Sequence, residues 1–204
     1  MKATALLFLL APVAAAQTPD SPNKDLANQV KSVHLTRVSK PPKLDDFLSG
    51  AIPAGQARID DFRQNAPSDG EKATRETVAY LSYDDENLYA VFLCKEEPSK
   101  LRARMANRDD ISSDDEVGLY LDTFHDRQHV LDFYVNPLGI QADATSNEGQ
   151  SDDYSYDTLW HAEGRITTDG YAVWMAIPFR SLRFSSANVQ TWGIGLARFV
   201  PAIN

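Results

Sequence analysis

Short apolar stretches, separated by Asp, Asn, Gly and Pro, recur along the chain from residue 32 onward. In the clearest of them Val117, Leu119 and Leu121 occupy alternate positions, with Gly118 and Tyr120 between them. A period of two is typical of a β-strand with one buried face, and no long stretch has the 3.6-residue period of an amphipathic helix. The pattern therefore predicts an all-β fold in which two antiparallel sheets pack face to face.

Turn residues divide this pattern into ten predicted strands, six of which form hairpins. The predicted hairpins pair residues 76–83 with 87–95, 115–124 with 128–136, and 159–167 with 171–177. The other predicted strands are 34–38, 59–64, 140–145 and 192–200. Residues 99–105 and 178–182 are each predicted to form one helical turn, the second because it begins with Pro.

The N-terminal residues have the composition of an export leader. Lys2 precedes a short apolar stretch, and residues 14–16 are three alanines that fit a cleavage site. The apolar stretch is shorter than the roughly 20 residues of a membrane-spanning helix. We therefore expect a signal peptide over residues 1–16, a flexible linker over 17–31 and one domain over 32–204. The mature protein would be periplasmic, outer-membrane-associated or extracellular.

The charge and the cysteine content restrict the function further. A formal net charge of -9 excludes nucleic acid as a partner, because a phosphate backbone has to be met by clustered Lys and Arg. The same charge suits neutral ligands and cations. The chain has one cysteine, Cys94, which cannot form an intramolecular disulfide and is predicted to be a buried thiol within an apolar stretch.

The loop over residues 147–157 is the strongest candidate for a binding site. It is acidic, carries Tyr154, Tyr156 and Asp157, and leads directly to Trp160. Aromatic rings stack on the apolar face of a sugar, and carboxylates accept hydrogen bonds from its hydroxyls. The composition therefore favours a sugar site. The alternative is a solvated loop whose tyrosines cap the sandwich.

A second acidic segment, residues 108–116, contains five carboxylates and is a candidate ligand set for calcium. Asp109, Asp110 and Asp114 are the predicted metal ligands, although their spacing does not match an EF-hand. The alternative is a solvated face or a strand cap. No nucleophile elbow, phosphate loop or CxxC motif is present, so the sequence indicates a binding module without a catalytic centre.

Seven segments together resemble a known family. They are residues 41–45, 83–89, 114–126, 133–141, 157–160, 169–171 and 177–184. They resemble the family 9 carbohydrate-binding-module-like domain at the N-terminus of large exported bacterial proteins, over about residues 40–201. In this resemblance the first segment corresponds to the opening strand of the domain.

The resemblance implies an immunoglobulin-like antiparallel β-sandwich with short helical turns. It also implies carbohydrate binding in association with glycoside hydrolases, sugar stacking on Trp160, and structural calcium with no required cofactor. Arg108 and Asn136 complete the predicted sugar contacts. Relatives commonly have a tryptophan soon after the opening strand, where this chain has Phe47 and a stretch that ends at Ile59. Relatives also continue into a β-rich, often membrane-embedded C-terminal region, so truncation after Asn204 is expected. The alternative is a structural or interaction domain of an outer-membrane-type protein that does not bind sugar.

Overall fold

The computed structural model describes residues 31–66, 69–147 and 150–201. The predicted signal peptide, and the predicted linker apart from Lys31, lie outside the described residues. From Val33 onward the described residues belong to one compact unit.

The described residues are almost entirely β-structure, with one five-residue α-helix and two 3₁₀ turns. The helix is α1 (Leu44–Leu48), and the 3₁₀ turns are Pro98–Lys100 and Phe179–Ser181. The strands are β1 (Ala57–Ile59), β2 (Thr77–Tyr83), β3 (Asn87–Lys95), β4 (Glu116–Asp122), β5 (His129–Val135), β6 (Gln141–Asn147), β7 (His161–Thr167), β8 (Gly170–Pro178) and β9 (Gly193–Phe199).

The strands form two antiparallel sheets, in the orders β1-β2-β3-β8-β7 and β6-β5-β4-β9. The inner faces of both sheets share one core, in which Phe92 and Val173 of the first sheet and Leu119 and Phe133 of the second are fully buried. Such packing of alternate residues from two sheets is the arrangement of a β-sandwich. The predicted fold class is therefore confirmed, and so are the three predicted hairpins.

The outer face of the first sheet is covered by α1. Phe47 packs on Tyr80 with ring centroids 5.2 Å apart, and the indole N–H of Trp174 donates to the Pro42 carbonyl at 2.9 Å. Trp174 points away from the core, as the alternation in β8 predicts, but it packs against this covering segment and is half-buried.

The expectation that residues 41–45 begin the domain as a strand is wrong, because the helix starts within them. Asp46 accepts a hydrogen bond from the Lys43 backbone N–H at 3.1 Å. Asp45 and Asp46 also place negative charge at the N-terminal turn, where the helix dipole favours it. These local interactions select a helix where the family resemblance implies a strand.

Smaller corrections concern the weakest predicted elements. The predicted strand 34–38 is reduced to one bridge between Arg37 and Tyr83, and the predicted strand 59–64 is replaced by β1 and a separate bridge at Arg63.

Cys94 is buried as predicted, and burial raises the pKa of its thiol to about 11. Across the described ranges, no helix has the length and apolar character needed to cross a bilayer.

Candidate functional site

The outer face of the second sheet carries a cluster of tyrosines and carboxylates. Because Leu119 and its alternate neighbours face the core, the residues between them face outward. The antiparallel register then aligns Gly118 with Tyr134, and Tyr120 with Asp132. We call this surface the tyrosine face. It comprises Glu116, Gly118, Tyr120, Asp132, Tyr134, Ala142, Ala144, Ser146, Gly195, Ala197, Phe199 and, from the adjoining loop, Tyr154.

Two glycines allow the tyrosine rings to lie close against the backbone of the sheet. A Cβ added at Gly118 would lie 3.2 Å from Tyr120 Cε2 and 3.3 Å from Tyr134 Cδ1, and one added at Gly195 would lie 3.2 Å from Tyr120 Cβ. Those separations are tighter than ordinary carbon contacts. Any larger residue at these positions would therefore displace the rings outward.

The aromatic residues of the tyrosine face form a continuous strip. Tyr134 lies at its centre, with ring centroids 6.5 Å from Tyr154, 6.1 Å from Phe199 and 5.7 Å from Tyr120. Tyr134 is only 6% exposed, whereas Tyr154 and Phe199 are 47% and 41% exposed. The strip therefore presents two accessible rings, one on each side of a buried ring.

The loop that carries Tyr154 is fixed to the edge of the sheet. Thr145 of β6 and Asp153 exchange two backbone hydrogen bonds, at 3.1 and 2.9 Å. The Asp153 carboxylate also accepts the Ser155 N–H at 3.0 Å, which closes a tight turn around Tyr154. These bonds hold the Tyr154 ring beside Tyr134.

Two buried carboxylates belong to the tyrosine face. Asp132 is fully buried, and neither of its carboxylate oxygens meets a hydrogen-bond partner in good geometry among the described residues. Burial raises its pKa to about 6, while the Ser146 hydroxyl acts in the opposite direction and lowers the pKa. Glu116 is 9% exposed, and burial, followed by repulsion from Asp114, raises its pKa to about 7. The face is therefore acidic, and none of its described residues supplies a positive charge to neutralise Asp132.

A cleft of about 1040 Å³ at one end of the sandwich is a second candidate. Phe124 and Leu159, both largely exposed, line it together with Tyr156, Asp157 and the pair formed by His129 and Asp126. His129 Nδ1 lies 2.8 Å from Asp126 Oδ2, and this hydrogen bond lowers the pKa of Asp126 to about 2. The predicted loop is thus divided, since Tyr154 joins the tyrosine face while Tyr156 and Asp157 line the cleft.

Trp160 does not serve as the predicted stacking platform. It is 3% exposed, belongs to the core between the sheets, and meets Phe133 edge-on with ring centroids 5.2 Å apart. The Arg108 guanidinium lies 6.0 Å from the centre of its ring. The ring therefore has no face available to a sugar, and its large apolar area explains why it faces inward.

Arg108 and Asn136 are occupied by contacts within the protein. Arg108 pairs with buried Asp143 and donates to the Thr158 carbonyl at 3.1 Å. Asn136, fully buried, donates to Asp114 at 3.0 Å and accepts backbone N–H groups at 3.0 and 2.9 Å. Both side chains organise loops, so the structure does not place them as sugar contacts.

The predicted calcium ligands do not converge. Asp114 is buried and accepts from Arg104 Nε at 2.9 Å, while Asp109 accepts the Asp143 backbone N–H at 3.2 Å. Asp110 is exposed, 3.9 Å from the Arg104 guanidinium. Within the described ranges no three acidic, histidine or cysteine side chains are placed to hold a metal ion. The arginine supplies the positive charge that a cation at Asp114 would have supplied.

The alternation of residues in two strands predicts the tyrosine face, whereas the composition of single loops does not. The alternation within β4 already places Gly118 and Tyr120 opposite the core residues. Asp132 and Tyr134 alternate in the same way within β5. Aligning the two strands as a hairpin would have brought these four residues together.

No family model matches the chain, and no curated protein matches it. Among solved structures, the chain is similar to a putative carbohydrate-binding protein from Bacteroides uniformis, with a TM-score of 0.56 and 12% identity over 79% of each chain. A family 9 carbohydrate-binding module from Caldicellulosiruptor kristjanssonii in complex with glucose aligns with a TM-score of 0.49 and 17% identity, covering 80% of this chain and 75% of that one. The first alignment shows that the chain shares this sandwich fold.

Proposed function

We propose that the tyrosine face binds carbohydrate. The observation that carries this proposal is the aromatic strip, in which the exposed rings of Tyr154 and Phe199 flank Tyr134 beside the Glu116 carboxylate. The rings offer flat apolar surfaces to the faces of pyranose rings, and the carboxylate accepts hydrogen bonds from hydroxyls. The fold shared with the Bacteroides uniformis protein supports the proposal.

We assign binding rather than hydrolysis to this face. Glycoside hydrolysis requires two carboxyl groups that flank one scissile bond. Here Asp132 is fully buried, so it is not presented to a bound sugar alongside Glu116. The protein would act as an exported module that supports polysaccharide breakdown by hydrolases, and the export leader predicted from the N-terminal sequence supports that setting.

An interaction domain is the second candidate function. Phe184 and Trp192 lie 5.4 Å apart between ring centroids, next to Phe179, and Val189 nearby in the sequence is 81% exposed. Exposed apolar clusters of this kind are typical of protein contacts. A further β-rich region of a longer protein would be the partner in this case.

Replacing either exposed ring of the strip is expected to weaken oligosaccharide binding. We expect Tyr154→Ala and Phe199→Ala each to raise the dissociation constant about tenfold, because losing one stacked ring costs about 1.4 kcal/mol. Calorimetric titration with a panel of mono- and oligosaccharides measures this effect.

The matched control is Phe124→Ala in the cleft, which removes a ring of similar exposure. It is expected to leave the affinity unchanged. A loss of binding with Phe124→Ala alone would move the site to the cleft. Failure of the native protein to bind any sugar of the panel would leave the interaction domain as the better assignment.

A further inference from the structure

Asp132 is an unusual group for a protein surface layer. Both of its oxygens are buried, and among the described residues neither makes a hydrogen bond of good geometry, although the Ser146 hydroxyl acts on the carboxylate. Buried charges in proteins are normally paired or hydrogen-bonded, since leaving them unpaired is costly. Its Cα partner in the neighbouring strand is Tyr120, and Asp152 lies close enough to raise its pKa further. The local charge is therefore negative and uncompensated.

Three arginines on or beside the second sheet are paired with other groups. Arg198 of β9 faces the opposite side of its sheet, where it pairs with Glu96 at 3.0 Å and lies 5.4 Å from the centre of the Tyr171 ring. Arg104 is held by Asp114, and Arg108 is held by Asp143. Among the described residues that form the face, none carries a positive charge.

The rings next to Asp132 add a second attraction for positive charge. Tyr120 and Tyr134 meet edge to face, with centroids 5.7 Å apart and an interplanar angle of 89°. An ammonium group over the face of such a ring is attracted by the electrons of the ring, and clusters of aromatic rings are a known means of recognising organic cations. Tyr154 extends the same surface towards solvent.

We propose that the tyrosine face selects cationic, amine-bearing sugars, with Asp132 beneath the rings as the counter-charge and Glu116 at the rim. This inference rests on the proposed function and names the class of carbohydrate. The amine lies against the tyrosine rings, and Asp132 acts on it through its charge, which is effective over about 4–6 Å and more so at low dielectric. An ammonium group needs fewer fixed ligands than calcium, which takes six to eight oxygens.

The amine also determines how binding depends on pH. Bound positive charge favours the ionised form of both acids, so, over the pH range in which the amine of the sugar stays protonated, binding releases protons and strengthens as pH rises through about 6. The groups that act on Asp132 are the Ser146 hydroxyl, Asp152, Tyr120, Tyr134 and Tyr154, and those that act on Glu116 are Asp114, Tyr120 and Tyr154. None of these groups carries positive charge that would reverse the trend.

The test compares three trisaccharides that differ in one substituent: the trimers of glucosamine, N-acetylglucosamine and glucose. Calorimetric titration of the whole protein at pH 6.5 is expected to show the glucosamine trimer binding at least tenfold more tightly than the two neutral trimers. Asp132→Asn is expected to remove that preference, so that its affinities for the three trimers become equal. Repeating the titration at pH 5 is expected to weaken binding of the glucosamine trimer alone.

Asp157→Asn is the matched control, because it removes the same charge from the exposed wall of the cleft. It is expected to keep the full preference. Equal affinity of the native protein for all three trimers would overturn the inference and leave the proposed function standing. Loss of preference in Asp157→Asn but not in Asp132→Asn would also overturn it. If none of the trimers binds, the inference fails, and the wider sugar panel decides the proposed function separately.

Discussion

Asp132→Asn is expected to stabilise the folded protein at neutral pH, whereas Asp143→Asn is expected to destabilise it. Both aspartates are fully buried in the second sheet, and their Cα positions lie on adjacent strands. Asp143 pairs with Arg108 and accepts the Thr158 N–H at 2.8 Å, whereas Asp132 has no comparable partner among the described residues. The change to asparagine therefore removes a charge that is paired and hydrogen-bonded at Asp143, and a charge without such partners at Asp132.

The expected sizes follow from the cost of buried charge. Raising the pKa of Asp132 from 3.8 to about 6 corresponds to about 3 kcal/mol of destabilisation once the group is ionised. The asparagine amide would itself be buried without hydrogen-bond partners, which costs about 1–2 kcal/mol and offsets part of the stabilisation. We therefore expect a net stabilisation of about 1–2 kcal/mol for Asp132→Asn. Breaking the buried pair at Asp143 is expected to cost about 3–5 kcal/mol.

The sign of the pH dependence separates this explanation from a simple packing effect. Below pH 3.8 Asp132 is largely protonated in both the folded and the unfolded states, so ionisation costs nothing. Between pH 4 and 6 the unfolded state loses its proton first, and the folded protein loses stability until the folded group is also ionised. The gain from Asp132→Asn should therefore be present at pH 7.5 and absent near pH 4.

Urea denaturation of the native protein and both variants at these two pH values measures the difference. A gain of equal size at both pH values would contradict an electrostatic origin. Destabilisation by Asp132→Asn at pH 7.5 would show that the carboxylate has a supporting partner. Binding sites commonly contain residues that lower the stability of the fold. A destabilising Asp132 agrees with a carboxylate whose charge is neutralised only when a cation is bound.

Much of the fold could be predicted because it depends on local alternation. The period of two in Val117, Leu119 and Leu121 reports directly which face of β4 is buried, and acidic or glycine-containing turns mark the hairpins. The helix α1 could not be predicted this way. It spans five residues and depends on capping by Asp46 and on packing of Phe47 against Tyr80, a contact distant in sequence.

The candidate site was harder to predict because it is assembled across strands. Tyr120, Tyr134 and Phe199 come from three strands and meet only through the register of the second sheet. Tyr154 and Tyr156 are two residues apart in one loop, yet they serve different surfaces. Composition identified the loop correctly as rich in aromatic and acidic groups, but the direction of each side chain depends on the bridge between Thr145 and Asp153.

Trp160→Ala is expected to destabilise the protein strongly rather than to remove a sugar contact. The side chain lies in the core against Phe133, and replacing a buried tryptophan by alanine typically costs about 3–5 kcal/mol. A domain of this size has a total stability of about 5–15 kcal/mol, so the loss is a substantial part of it. Thermal and urea denaturation of the variant measure the decrease.

Trp160→Phe distinguishes the two possible roles of the tryptophan. Phenylalanine preserves an aromatic contact with Phe133 and removes the indole N–H, which has no hydrogen-bond partner among the described residues. We expect this variant to lose about 1–2 kcal/mol of stability and to bind sugar with native affinity. Tyr154→Ala should show the opposite pattern, with near-native stability and weakened binding. A Trp160→Ala protein that kept native stability but lost sugar binding would restore the tryptophan as the stacking residue and would place the site at the N-terminal end of β7.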